Sequence, residues 1–281
     1  MPRFAAGIHL IRPINCVLAM IGVLVGAHLA GGESQLGRAL IAGLCAFFVC
    51  GAGNALNDVV DIETDRVSHP DRALVSGVFS RNAVIGVAIV LNIVGLLLAF
   101  AVGLPLTLIV VGCVVLLAVY NFWLKRVPLL GNLTVGVLGA TTLITGGVAM
   151  DPGSIVRLPG PSAGALLAFL IHVAREIVKD VQDIGGDRLA GIRTLPLTVG
   201  VRPALGMAIA VFFVLAALLA HATYYQWYSV RFLAIVSVLV LFPNAVLLGL
   251  SMVKPTKKRI AVLASSLKVG MAVGMVALIL G

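Results

Sequence analysis

The sequence NDVVDIETDR, at residues 57–66, returns 122 residues later as KDVQDIGGDR, at residues 179–188, with six of the ten positions identical. Each copy follows a long apolar stretch and carries three aspartates at positions i, i+3 and i+7, which share one face of a helix. These aspartates are Asp58, Asp61 and Asp65 in the first copy and Asp180, Asp183 and Asp187 in the second. Three carboxylates on one helical face repel each other, so each copy needs a compensating positive charge.

The rest of the chain is strongly apolar. Of its 281 residues 60% are hydrophobic and 11% are charged, whereas about a quarter of the residues of a soluble domain are charged. A membrane-spanning helix needs about 20 apolar residues, and nine stretches have roughly that length: 8–30, 36–57, 82–103, 105–123, 129–150, 162–178, 202–222, 229–250 and 261–280. We therefore expect an all-α polytopic membrane protein with nine transmembrane helices in one domain, residues 1–281.

The net charge of +9 reflects membrane topology rather than binding to nucleic acid. If the N-terminus is cytoplasmic, 16 of the 20 lysines and arginines lie on the cytoplasmic side and three on the opposite side. This asymmetry is the positive-inside pattern. It predicts an integral protein of the cell membrane whose N-terminus and two acidic motifs are cytoplasmic and whose C-terminus is outside.

Nine of the eleven acidic residues lie at the junctions after the second and sixth predicted helices, on one side of the membrane. A hard divalent cation would relieve their repulsion, since Mg²⁺ binds one or two carboxylates, keeps several waters and bridges to substrate phosphates. The motifs therefore suggest a pocket for a magnesium-bound diphosphate. Solvated acidic loops and the ion path of a transporter are the alternatives, although transporter sites lie near the bilayer midplane.

Basic residues near the two motifs could stabilise a departing diphosphate. The candidates are Arg66, Arg72, Lys125, Lys179 and Arg188. The segment YNFWLKR, at residues 120–126, adds aromatic rings that could face a cationic intermediate or form an interfacial belt. We expect Tyr120 to position the substrate and Trp123 to belong to the belt.

The two motifs, the intervening YNFWLKR and the following Gly131 and Asn132 resemble the UbiA superfamily of intramembrane prenyltransferases over essentially the whole chain. The resemblance implies helices around a central cavity, in which both motifs bind a prenyl diphosphate through two Mg²⁺ ions. It implies metal binding by all six aspartates and catalytic roles for Asp58, Asp61, Asp180 and Asp183. It also implies that Asn54, which begins the first motif in NALNDVVDIETDR, contacts the diphosphate.

Within that superfamily, residues 175–200 look most like the archaeal branch that forms the second ether bond of archaeal membrane lipids. The resemblance implies geranylgeranyl diphosphate as donor, geranylgeranylglyceryl phosphate as acceptor and membrane lipids as partners. An aromatic prenyltransferase acting on homogentisate or a quinone precursor remains the alternative, because its second motif is similar.

A phosphate-bearing acceptor requires cations beyond those that hold the diphosphate. Arg12 and Asn15 lie one turn apart in the first predicted helix, and Lys268 lies inside the ninth. A charged residue inside a spanning helix is costly and suggests a function. We therefore expect Arg12, Asn15 and Lys268 to bind the acceptor, with a topological anchor for Arg12 and a snorkelling side chain for Lys268 as the alternatives.

Overall fold

The computed structural model describes residues 3–68, 70–189 and 191–280, and its regular elements there are all helices. The α-helices are α1 (Arg3–Ile11), α2 (Pro13–Leu29), α3 (Leu36–Val60), α4 (Ile62–Ser68), α5 (Arg81–Val102), α6 (Leu104–Phe122), α7 (Leu130–Met150), α8 (Pro161–Leu189), α9 (Leu195–Val199), α10 (Val201–Tyr224), α11 (Val230–Ile235), α12 (Phe242–Val253) and α13 (Lys257–Leu280). A π-helical stretch, Val236–Leu241, joins α11 to α12.

All nine predicted apolar stretches are helical. Among the described residues, eight helices are long and apolar enough to cross a membrane: α3, α5, α6, α7, α8, α10, α13 and the continuous Val230–Val253. The ninth, α2, has 17 residues and is about 26 Å long at a rise of ~1.5 Å per residue. The chain is thus an integral membrane protein with the predicted all-α architecture.

The first predicted stretch, residues 8–30, is interrupted rather than continuous. Helix α1 ends at Ile11, Arg12 adopts a left-handed conformation with φ 52°, and α2 begins at Pro13. The cause is Pro13, whose ring disfavours a helical conformation of the residue before it and which lacks a backbone N–H. The break puts Arg12 at a corner from which its side chain reaches α3.

Helices α2 and α7 approach each other at glycines. A Cβ atom on Gly26 would lie 2.0 Å from the carbonyl oxygen of Leu143, and one on Gly146 would lie 1.9 Å from that of Val23. Small residues allow such close backbone contact in membrane proteins, where van der Waals packing drives helix association. This contact holds α2 against α7.

Candidate active site

The helices surround a cavity of about 1240 Å³ that contacts residues of both acidic motifs. Asp61, Asp65, Asp180, Asp183 and Asp187 lie in its wall. Apolar side chains line most of the remainder, on α3, α6, α8, α10 and α13. The cavity therefore combines an acidic end with a long apolar interior.

The first motif is divided between two helices, whereas the sequence predicts a single helical face. Asp58 lies in the last turn of α3, Asp61 ends that helix, and Asp65 lies in α4. Asp58 is only 4% exposed and is not in contact with the cavity. It therefore lies behind the wall that Asp61 and Asp65 form.

Two arginines neutralise the buried carboxylates of the first motif. Asp58 accepts hydrogen bonds from Arg12 Nη2 at 2.6 Å and from Arg72 Nη1 at 3.2 Å. The same Arg72 nitrogen also donates to Asp65. Burial nevertheless raises the pKa of the Asp65 carboxyl, and the charge of Arg72 only partly offsets this. Protein cations thus compensate much of the repulsion for which the sequence suggests a metal.

Asp61 is bound by a lysine and an asparagine. Lys125 Nζ lies 2.5 Å from one carboxylate oxygen, and Asn57 Nδ2 lies 2.8 Å from the other. Burial lowers the pKa of the Lys125 ammonium, and the charge of Asp61 opposes that shift. Lys125 lies in the cavity wall.

Asn57 is a site residue that the sequence analysis missed. Its amide accepts a hydrogen bond from Arg12 at 3.0 Å and donates one to Asn121 at 3.1 Å, besides the bond to Asp61. It therefore connects α3 with the corner at Arg12 and with α6. Its spacing of i, i+4 from Asp61 could have identified it, because these positions share a helical face.

The second motif lies within α8, so its three aspartates do share one face, as predicted. Asn132 on α7 donates a hydrogen bond to Asp180 at 2.8 Å. Among the described residues, no lysine or arginine forms an ion pair with Asp180, Asp183 or Asp187. Helix α4 packs against α8, which brings the two motifs to the same end of the cavity.

The donor atoms at this end suit a hard divalent cation. Five carboxylates from the two motifs contact the cavity, and oxygen is the ligand that Mg²⁺ prefers. No group of three acidic, histidine or cysteine side chains is close enough to hold a metal by itself within the described parts of the chain. Such a group is not required, because Mg²⁺ usually takes one or two protein carboxylates and completes its shell with water and phosphate oxygens.

The other predicted diphosphate-binding residues divide into two groups. Asn54, Arg72 and Lys179 contact the cavity, as does Tyr120. Arg66 instead points outward and pairs with Glu63 at 3.0 Å, and the exposed Arg188 is not in the cavity wall. These two positions point away from the aspartate faces, because a residue directly after an aspartate is rotated by about 100° around the helix.

The predicted acceptor residues also separate. Arg12 also lines the cavity, but it is bound to Asp58 and Asn57, so the structure associates it with the first motif. Asn15 and Lys268 both contact the cavity, and Lys268 Nζ donates to Asn15 Oδ1 at 3.2 Å. Trp123 is 65% exposed, as expected of an interfacial residue.

The fold and the site together define a class of protein: a helical membrane enzyme with an apolar cavity that carries two aspartate motifs at one end. The chain belongs to the UbiA prenyltransferase family, whose sequence model matches residues 19–268. It is therefore a prenyltransferase rather than a transporter.

Known proteins resemble the chain along most of its length. The digeranylgeranylglyceryl phosphate synthase of Thermococcus kodakarensis is 37% identical over 199 residues, 70% of each chain. A solved structure of a digeranylgeranylglyceryl phosphate synthase superposes with a TM-score of 0.78 at 28% identity, covering 100% of this chain and 99% of the other. A UbiA homologue from Archaeoglobus fulgidus, solved with DMAPP and Mg²⁺, has the same fold, with a TM-score of 0.72 at 18% identity and coverage of 97% and 98%.

Proposed function

We propose that the protein transfers the geranylgeranyl group of geranylgeranyl diphosphate to the free hydroxyl of geranylgeranylglyceryl phosphate, which forms the second ether bond of an archaeal lipid. The observation that carries this proposal is the single cavity that joins two aspartate motifs to a long apolar interior. The likeness to digeranylgeranylglyceryl phosphate synthases supports this donor and this acceptor.

The acidic end is the proposed site of the donor diphosphate, with one Mg²⁺ ion at each motif. When bound, Mg²⁺ supplies positive charge that stabilises the departing diphosphate. The proposed ligands are Asp61 and Asp65 for the ion at the first motif, and Asp180, Asp183 and Asp187 for the ion at the second. Asp58, which does not contact the cavity, acts by fixing Arg12 and Arg72.

The polar side chains near the aspartates orient the donor. Lys125, Lys179 and Arg72 supply cationic hydrogen-bond donors to diphosphate oxygens, and Asn54 lies beside them in the wall. These groups are held in place before the reaction, so they stabilise the developing negative charge without reorganisation. Tyr120, which lines the cavity, is the proposed ring that stabilises the positive charge developing on the first carbon of the donor.

The apolar wall protects the reaction. Cys45, Val49, Val110 and Leu117 line the cavity along α3 and α6, which provides a surface for the prenyl chain below the diphosphate. An apolar cavity excludes water, so the acceptor hydroxyl rather than water reaches the allylic cation.

The test of the proposed function is product formation by the full chain in nanodiscs. We expect diphosphate release and the mass of the doubly prenylated glyceryl phosphate when both substrates and Mg²⁺ are present. Homogentisate in place of the glyceryl phosphate is expected to give no product. Efficient prenylation of homogentisate with no product from geranylgeranylglyceryl phosphate would contradict the proposal.

We further propose that both motifs face the cytoplasm, on the basis of the positive-inside distribution. Single cysteines at the exposed positions Ser76 and Arg193, in a variant without the four native cysteines, are expected to react with a membrane-impermeant maleimide only from the cytoplasmic side. A cysteine at the exposed Ser34, before α3, should react only from outside and serves as the control. Reaction of Ser76→Cys from outside would overturn this orientation.

A further inference from the structure

A second group of charged residues, on α8 and α13, contacts the cavity beside the acidic end. Arg175 precedes Asp180 by five residues on α8, which is about 7.5 Å along the helix. Lys179, Glu176 and Lys268 contact the same cavity, and Lys268 on α13 is within electrostatic reach of both Arg175 and Lys179. The mechanism above uses only Lys179 of this group.

The group has more positive charge than its one carboxylate neutralises. Glu176 accepts from Arg175 and lies 3.5 Å from Lys179 Nζ. The Nε of Arg175 is buried without a hydrogen-bond partner among the described residues. Lys268 binds the neutral amide of Asn15, and within the described chain no carboxylate lies within ion-pair distance of it. With Lys179 beside the second motif, Arg175 and Lys268 share the single carboxylate Glu176, which leaves a positive charge in a membrane-embedded cavity, where uncompensated charge is costly.

A bound anion would balance this charge. A phosphate monoester carries about −1.5 to −2 charges at neutral pH and offers three strong acceptor oxygens. Such oxygens can accept hydrogen bonds from the Arg175 Nε–H and from the N–H groups of Lys268 that do not bind Asn15.

The surroundings fit an anion that carries an apolar chain. On α8, Leu167 and Ile171 line the cavity at successive turns before Arg175, and on α13, Met271 and Met275 continue the wall beyond Lys268. Arg175 and Lys268 therefore lie at one end of an apolar surface that α8 and α13 form. This surface belongs to other helices than the wall of α3 and α6.

We propose that Arg175, Lys268 and Asn15 form a separate anion site that binds the phosphate monoester of the lipid acceptor, with its chain along α8 and α13. The inference rests on the proposed function, since it assigns the acceptor of that reaction to these residues. Glu176 holds Arg175 and Lys179 apart, so one cation serves the acceptor and the other the donor. The two substrates then lie side by side, each with its own charged head site.

The test compares acceptors with and without the phosphate. The phosphate preference is the kcat/KM for geranylgeranylglyceryl phosphate divided by the kcat/KM for geranylgeranylglycerol. We expect Lys268→Gln and Arg175→Gln each to lower this ratio roughly 10- to 150-fold, because each variant loses one charge-assisted hydrogen bond. Lys268→Arg should retain most of this preference. Lys258→Gln removes an exposed lysine of the same helix and is the matched control, with an unchanged ratio.

A binding measurement separates this inference from the proposed reaction. Geranylgeranylglyceryl phosphate added without donor should raise the Tm of the wild type and of Lys258→Gln, but not that of Lys268→Gln. If the wild type gives no ether product but the acceptor still raises its Tm and not that of Lys268→Gln, the proposed prenyl transfer is wrong and the anion site is supported. If both glutamine variants keep the wild-type ratio and the wild-type shift, the anion site is wrong.

Discussion

Replacing Asp183 by asparagine is expected to lower kcat by about 10²- to 10³-fold, the usual cost of removing one electrostatic group that stabilises a transition state. Asp183 lies in the cavity wall and, among the described residues, has no cationic partner. Its replacement therefore leaves no buried cation unpaired, and the variant should fold. The measurement is kcat in nanodiscs at saturating substrates, with the Tm as the test of folding.

Glu63→Gln is the matched control for this variant. Glu63 lies in α4 beside the first motif, but its side chain is 76% exposed and pairs with Arg66 away from the cavity. Its replacement should leave kcat within about twofold, because exposed ion pairs contribute little. A value of kcat for Asp183→Asn that matches this control would remove the second motif from the mechanism.

Removal of divalent metal is expected to abolish product formation, to below about one hundredth of the starting rate, because the ion supplies several kcal/mol of charge stabilisation to the leaving group. Excess EDTA should produce this loss, and added Mg²⁺ should restore the rate. The helical circular dichroism and the Tm of the substrate-free protein should not change, since Arg12, Arg72 and Lys125 already neutralise the first motif.

Donor binding provides a readout that does not depend on turnover. Geranylgeranyl diphosphate with Mg²⁺ should raise the Tm, because a ligand that binds only the folded state stabilises it. In EDTA the same donor should raise the Tm by much less. Full activity in EDTA, or an equal shift with and without metal, would contradict a metal-dependent diphosphate site.

The sequence was sufficient to predict the membrane helices and the meeting of the two motifs. Both follow from strong local signals, namely apolar length and the spacing of the aspartates. Helix continuity was harder to predict. Asp61 ends α3, although the i, i+3, i+7 pattern suggests one unbroken helix. The pattern records which positions could share a face, but not where a helix stops.

The roles of individual charged residues depended on distant contacts. Asp58 and Asp180 occupy equivalent places in the repeated sequence, yet one is buried against two arginines and the other contacts the cavity. Arg12 is 46 residues away from its partner Asp58. Such pairing is set by the packing of helices that are remote in sequence, which motif spacing does not reveal.

The ion pairs of the first motif also have a consequence for biosynthesis. Arg12, Asp58 and Arg72 all belong to the first 72 residues, so their pairing is possible as soon as this part of the chain is inserted, since synthesis proceeds from the N-terminus. The aspartates of the second motif emerge only after three further long helices, α5, α6 and α7. The growing chain therefore neutralises its first acidic segment before it makes its second. The two acidic segments therefore need not be unpaired in the bilayer at the same time.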